Sequence, residues 1–387
     1  MEFDIMARAS TWADAAELAK RLEAGGFSGM LMTEGSQVPW MVIAAAAMAA
    51  PSLHFSTGIA VAFPRSPMMS AQIAWELARN TQGRFRLGLG SQVKAHIVRR
   101  YSSQFDRPAP QMKDYLKAVR ACLKAFRREG PLQHEGEYYN LSLLPEQWTP
   151  SGHDHEDVKI DISAVGPYMI KVAGELADGI HVHPMHSMPY IDNRVLPGLA
   201  EGAAKAGRAP AEIDLIVPVM AIPGDSPEEQ ATATLKAKTQ IGFYGATPNY
   251  AFQFEDLGYH GMRDTLRDHM RSGDMDALVA LIDDEMLNQF ALPARWDDMA
   301  DKLIARYKGK AARLVMYHAE ESIRENPANM DKWCEIARAV RAVDPSMTLL
   351  AVAVTELEKA GEAAGLKVAS EIFADRAYEP DGQLMSR

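Results

Sequence analysis

Apolar residues along this chain alternate between short continuous runs and helical spacing. Leu53-His54-Phe55-Ser56-Thr57-Gly58-Ile59-Ala60-Val61 reads as a buried strand. Met69 to Thr81 carries Ile73, Ala74, Leu77 and Ala78 at helical spacing. Gly83 stops that helix, and Arg84 to Gly90 is a second apolar strand. Strand, helix and strand between Leu53 and Gln92 form a parallel βαβ unit with a right-handed crossover. The same alternation recurs on both sides of it. Strands are predicted over about 3–7, 29–34, 53–61, 84–90, 159–165, 180–183, 213–222 and 313–317, nearly all separated by helices. Eight βα units predict a (β/α)8 TIM barrel, an α/β fold. A doubly wound open sheet is the alternative, but Ala7-Arg8-Ala9-Ser10 after the first strand is no Gly-rich phosphate loop.

Two stretches interrupt the alternation. Gly130 to Leu144, with Gly136, Tyr138 and Tyr139, reads as a hairpin insertion. From Ser226-Pro227-Glu228-Glu229, a helix start with a capping Ser and first-turn acids, to about Leu292 the pattern is helical only. After Val343-Asp344-Pro345 the eighth unit is complete. An extra fragment follows, with possible strands at Leu349 to Val354 and Lys367 to Phe373 around a helix from Glu356 to Ala364. The expected organisation is therefore a barrel over 1–342 and an extension over 343–387 that is no domain of its own.

Composition narrows the function classes. The chain has 387 residues, 47% of them apolar, enough for one large core. Its net charge of −10, without a basic run, argues against nucleic acid as a partner. Two cysteines far apart, Cys122 and Cys334, make neither a disulfide framework nor a metal site and fit a reducing compartment. Met1-Glu2-Phe3-Asp4 has no basic leader, and the longest apolar run, Trp40 to Ala50, is too short to span a bilayer. A cytoplasmic protein with no membrane partner is expected.

In parallel α/β folds ligands sit at the C-terminal ends of the strands, so candidate chemistry is sought there. Gly58-Ile59 ends a strand with a residue that permits close approach of a ligand or packs beside a bulge. Gly166-Pro167-Tyr168 opens a helix whose first N–H groups can hold a phosphate, or forms an ordinary loop. Polar residues at other strand ends are Glu34, Gln92, His96, His181 and His183. His181 and His183 share one strand face and His186 follows. With no carboxylate at ligand spacing, polar lining of the mouth is the expectation and no metal is assigned. Nucleophile elbow, Walker loop and HExxH are all absent from the sequence.

The run Ser56-Thr57-Gly58-Ile59-Ala60-Val61-Ala62-Phe63-Pro64-Arg65-Ser66-Pro67 resembles the luciferase-like flavin and deazaflavin oxidoreductases. So do Gly83-Arg84-Phe85-Arg86-Leu87-Gly88-Leu89-Gly90-Ser91-Gln92, Ala173-Gly174-Glu175-Leu176-Ala177-Asp178-Gly179 and the stretch from Tyr307 to Tyr317. The subgroup using coenzyme F420 is the most similar. The resemblance implies hydride transfer between F420 and a small organic substrate, in a homodimer. An FMN-dependent monooxygenase is the alternative, and a non-catalytic ligand-binding relative a further one. It implies a non-prolyl cis peptide at Gly58-Ile59 under one face of the ring. It also implies cofactor contacts at Gly58, Ile59, Ala60, Gly90, Ser91, Gln92, Gly166, Pro167, Tyr168 and His183, with Glu34 and His96 as catalytic candidates. Two departures stand out. Gly35-Ser36-Gln37-Val38-Pro39-Trp40 lacks the Asp-Pro many relatives carry, and Val93 stands where a sugar-phosphate branch has a catalytic Glu. The tail, with Phe373-Ala374-Asp375-Arg376-Ala377-Tyr378-Glu379-Pro380-Asp381-Gly382, resembles an interior fragment of the LamB/YcsF family, a component of 5-oxoprolinase.

Overall fold

The computed structural model describes residues 1–343; the strands and helix expected after Val343 lie outside the described residues. Eight parallel strands close a barrel. They are Glu2–Ala7, Gly29–Met32, His54–Thr57, Phe85–Gly90, Lys159–Ser163, Gly179–His181, Asp214–Pro223 and Arg313–Met316. Each pairs with the next, and the eighth pairs with the first.

Strand alternation sorts side chains into two cores. Outward residues such as Phe3, Ile5, Phe55, Phe85 and Leu314 are buried under the helices. Inward residues fill the barrel in layers. At the N-terminal end Asp4 accepts two hydrogen bonds from Arg313 at 2.7 and 2.8 Å. Arg86 bridges Asp161 at 2.6 and 2.8 Å and Asp214 at 2.8 Å. Above this ionic layer Met6, Leu31, Ile216 and Val315 form an apolar plug. The mouth lies above the plug.

Local signals start the helices that carry this frame. Thr11 and Asp14 cap each other at Trp12–Gly25, and Gly26 ends that helix at φ 89°. Ser66 caps Pro67–Asn80, and Ser226 caps Pro227–Gly245. The predicted hairpin is present as His134–Glu135 paired antiparallel with Asn140–Leu141.

The structure corrects two elements. The third strand is not continuous over 53–61. It stops at Thr57, and Ala60–Val61 pairs separately with Leu89 and Gly90. The block before residue 292 is not helical throughout. Ala291–Ala294 is a strand beside Met220–Pro223 on the outer half of the seventh strand. Four residues including Pro293 carry too little periodicity to show it.

Candidate active site

The break in the third strand is built by its neighbours. The Gly58–Ile59 peptide is cis. The Gly58 N–H donates to the Met32 carbonyl at 2.9 Å and the Thr33 hydroxyl donates to the Gly58 carbonyl at 2.7 Å. The Glu34 N–H donates to the Ile59 carbonyl at 3.2 Å. The end of the second strand thus satisfies the backbone groups that the broken ladder frees.

The resemblance makes Glu34 a catalytic candidate, while the residue taken alone favours a structural ion pair. Its carboxylate is taken up by the loop. Arg65 donates to it at 2.6 and 2.7 Å, and the Val61 N–H donates at 2.7 Å. Arg65 also reaches the Val61 carbonyl at 2.7 Å and lies over the Trp40 ring. A buried carboxylate with a bidentate guanidinium partner is a brace, and Glu34 holds the bulge in place. The partner leaves no sequence signal, because Arg65 is thirty-one residues away.

The adjoining wall is the end of the fourth strand. A Cβ on Gly90 would lie 2.5 Å from Ile59 Cδ1 and 2.7 Å from Ser163 Oγ, so any larger residue here would displace the Ile59 side chain. Ser91 and Gln92 line the same rim, half-buried. Gln92 adopts a left-handed φ of 56°, with its side-chain oxygen accepting from the Val93 N–H at 2.9 Å. Such a backbone at a non-Gly residue is uncommon and clusters at functional loops. His96 is exposed on the turn that follows and shares no hydrogen bond with Glu34 among the described residues.

Helix Pro167–Leu176 begins at the mouth with Gly166 at its N-cap and no side chain capping it. The first-turn N–H groups are open, and nothing lies within 4 Å of where a Gly166 Cβ would be. The Tyr190 hydroxyl pins the loop by donating to the Val165 carbonyl at 3.0 Å. Tyr168 is exposed. An open helix N-terminus of this kind attracts a phosphate through its N–H groups and dipole.

The far side of the mouth is aromatic, and most of it has no signature in the sequence. His183 stacks on Tyr250 at 4.1 Å and meets Tyr244 edge-on at 4.4 Å. The Tyr244 and Tyr317 hydroxyls are 2.8 Å apart. Tyr317 is legible in principle, because it shares the inward face with Arg313 and Val315. Tyr244 and Tyr250 belong to the helical insertion, where no periodicity marks them.

His181, His183 and His186 do not converge. His181 is inside the barrel with Nε2 4.0 Å from Asp161. His186 Nε2 pairs with the Tyr307 hydroxyl at 3.0 Å. Among the described residues no group of three His, Cys, Asp or Glu could hold a metal. Burial pushes His181 and His183 down to about 4 and His186 to about 3 from an ordinary 6.5. All three therefore stay neutral in the folded chain at neutral pH. The unfolded chain binds more protons below pH 6.5, so their contribution to stability is present above about 6.5 and lost as pH falls toward about 4. The unfolding midpoint is expected to drop through that window, with proton uptake on unfolding at pH 5. Stability that is flat or rises from pH 7 to 5 would contradict this.

Residues 2–313 match the luciferase-like monooxygenase family. An uncharacterised protein of Mycobacterium tuberculosis is 35% identical over 303 residues, 78% of this chain and 89% of the relative. The coenzyme F420-dependent tetrahydromethanopterin reductase of Methanopyrus kandleri superposes with a TM-score of 0.70 at 20% identity, covering 86% of this chain and 97% of that one. An FMN-bound type II Baeyer-Villiger monooxygenase of Pseudomonas putida gives a TM-score of 0.58 at 19% identity, covering 88% and 96%. At these identities the two superpositions show the fold.

A second family, LamB/YcsF, matches residues 300–387. A 5-oxoprolinase component of Rhodopseudomonas palustris is 60% identical over 52 residues, which is 13% of this chain and only 20% of the relative. The LamB/YcsF match reaches back beyond the expected boundary at 343 and takes in the eighth strand, so the segment that closes the barrel falls within it. Between the barrel, the mouth and the match over residues 2–313, the main body of the molecule is assigned: the chain belongs to the luciferase-like monooxygenase family.

Proposed function

We propose that this chain is an oxidoreductase that transfers a hydride between coenzyme F420 and a small organic substrate, as a cytoplasmic homodimer. The observation that carries this reading is the pairing of two features at the mouth: the braced Gly58–Ile59 bulge and the open N-terminus of Pro167–Leu176. They stand at the ends of the third and fifth strands, two strand spacings apart, roughly 10 Å. A flat ring on the bulge and a phosphate at the helix suit that span. When bound, the deazaflavin would supply the hydride chemistry.

The residues present fit such a group. Ile59, Ala60 and Gly90 would form the floor under the ring, with Ser91 and Gln92 beside it. The N–H groups of Gly166 and Tyr168 would hold the phosphate. Glu34, Arg65 and Thr33 keep the floor rigid. The reductase that superposes with a TM-score of 0.70 is described as F420-dependent, which favours the deazaflavin. FMN also has a ring and a phosphate, and the superposed monooxygenase was solved with FMN.

Titration of the full chain with oxidised F420 and with FMN, followed by cofactor fluorescence, separates the two. F420 is expected to bind at least tenfold more tightly. Preference for FMN would assign the chain to the oxygen-using branch instead. The expected partner is a small molecule rather than nucleic acid or a membrane: the net charge is −10, and no helix of the described residues is long and apolar enough to cross a membrane.

A further inference from the structure

The aromatic side of the mouth has a chemistry of its own. Its parts come from three elements: His183 after the sixth strand, Tyr317 after the eighth, and Tyr244 on helix Pro227–Gly245. In a ring of eight strands, this side faces the third strand and its bulge across the mouth. Tyr317 packs on the plug of Met6, Leu31, Ile216 and Val315, which places it over the barrel interior.

Two donors are left for a ligand. The Tyr244 and Tyr317 oxygens are 2.8 Å apart, and one hydroxyl proton joins them. The other has no acceptor among the described residues and is free to meet a ligand. His183 Nδ1 lies 3.2 Å from the Met185 N–H and 3.4 Å from the Met185 carbonyl; the shorter contact has Nδ1 accepting, and on that basis the ring proton is assigned to Nε2. Tyr250 holds that ring by stacking on it. Burial holds both tyrosines above their ordinary range, and they remain hydroxyls.

Charge is neutralised close by. Arg8 is 3.0 Å from Glu321, and Lys236 is 2.6 Å from Glu325 and 3.5 Å from Glu321. Neither cation is left over for an anionic substrate. Half-buried neutral donors within aromatic walls recognise an uncharged oxygen, and a site built to donate hydrogen bonds discriminates against compounds that lack the acceptor.

We propose that the Tyr244–Tyr317 hydroxyl pair and His183 Nε2–H form a corner that binds the oxygen of an uncharged carbonyl or alcohol substrate. The corner rests on the oxidoreductase reading only in that its ligand is called a substrate; the binding itself stands apart from it. The three residues orient the oxygen toward the bulge side of the mouth.

The test uses the full chain and two probes of one size, cyclohexanone and cyclohexanecarboxylate, titrated by ligand-detected NMR with F420 present. Cyclohexanone is expected to bind and the carboxylate to bind more weakly. Tyr317→Phe and Tyr244→Phe are each expected to weaken cyclohexanone about tenfold, the worth of one hydrogen bond to a half-buried donor. Tighter binding of the carboxylate, no binding of the ketone, or an unchanged ketone affinity in both Tyr244→Phe and Tyr317→Phe overturns the corner. F420 affinity of the same samples is read separately by its fluorescence. Ketone loss in the variants with F420 affinity retained is therefore distinct from failure of the cofactor reading.

Discussion

Asp4→Ala is expected to destabilise the chain by roughly 3–5 kcal/mol, the usual cost of stranding one partner of a buried ion pair. Asp4 and Arg313 are the seam between the first and eighth strands, joined by two hydrogen bonds at 2.7 and 2.8 Å. Both side chains are almost fully buried, at 3% and 11% exposure. Without the carboxylate, the guanidinium stays in the barrel without its bidentate partner. Typical domains have about 5–15 kcal/mol in total, so the loss is a large fraction. Chemical denaturation of the variant reads it directly. Asp4→Leu combined with Arg313→Met is expected to recover much of the loss, because a matched apolar pair leaves no stranded charge. A single variant as stable as the parent would show that the seam is held by something else.

Gly88→Ala is expected to damage both fold and cofactor binding. A Cβ at this position would overlap the Thr57 carbonyl oxygen and lie 2.6 Å from His181 Nε2. The overlapped atom is backbone and cannot rotate away. Overpacking typically costs about 1–3 kcal/mol, and a backbone clash belongs at the upper end. The site suffers because of what Thr57 does. Where the third strand breaks, its hydroxyl replaces the missing ladder, donating to the Gly88 carbonyl at 2.7 Å and accepting the Gly88 N–H at 2.9 Å. Moving Thr57 moves Gly58, the next residue. Thr57→Val, which keeps the shape and removes the hydroxyl, is expected to cost about 1–3 kcal/mol by leaving two buried groups unpaired. Paired measurements of unfolding midpoint and F420 affinity check this, and an unaltered F420 affinity in a folded Gly88→Ala variant would separate the bulge from the cofactor.

Much of the frame was legible because it follows from periodicity. All eight barrel strands lie where apolar runs predict them, and inward faces such as Arg313-Val315-Tyr317 follow from alternation. What stayed hidden depends on contacts between distant residues. Gly58-Ile59 is marked in the run from Leu53 to Val61 as a possible bulge, but nothing there shows that Thr33 and Glu34 capture the Gly58 and Ile59 carbonyls and split the strand. An ion pair at Glu34 is a reading the sequence allows, but its partner, Arg65, is seen only across the loop. Tyr244 and Tyr250 reach the mouth through the fold of the insertion, which no local pattern encodes. The open helix start at the mouth is the opposite case. Gly166-Pro167 has the local chemistry of an open N-terminus, and the structure leaves that terminus uncapped.

The central claim is that the mouth holds a deazaflavin, with its ring on the bulge and its phosphate at the helix. A crystal structure of the full chain grown with F420 tests it most directly. The account predicts the ring against Ile59 and Gly90 and the phosphate within hydrogen-bond distance of the Gly166 and Tyr168 N–H groups. A ring bound away from the bulge, or a phosphate held elsewhere with the helix start left to solvent, would contradict it.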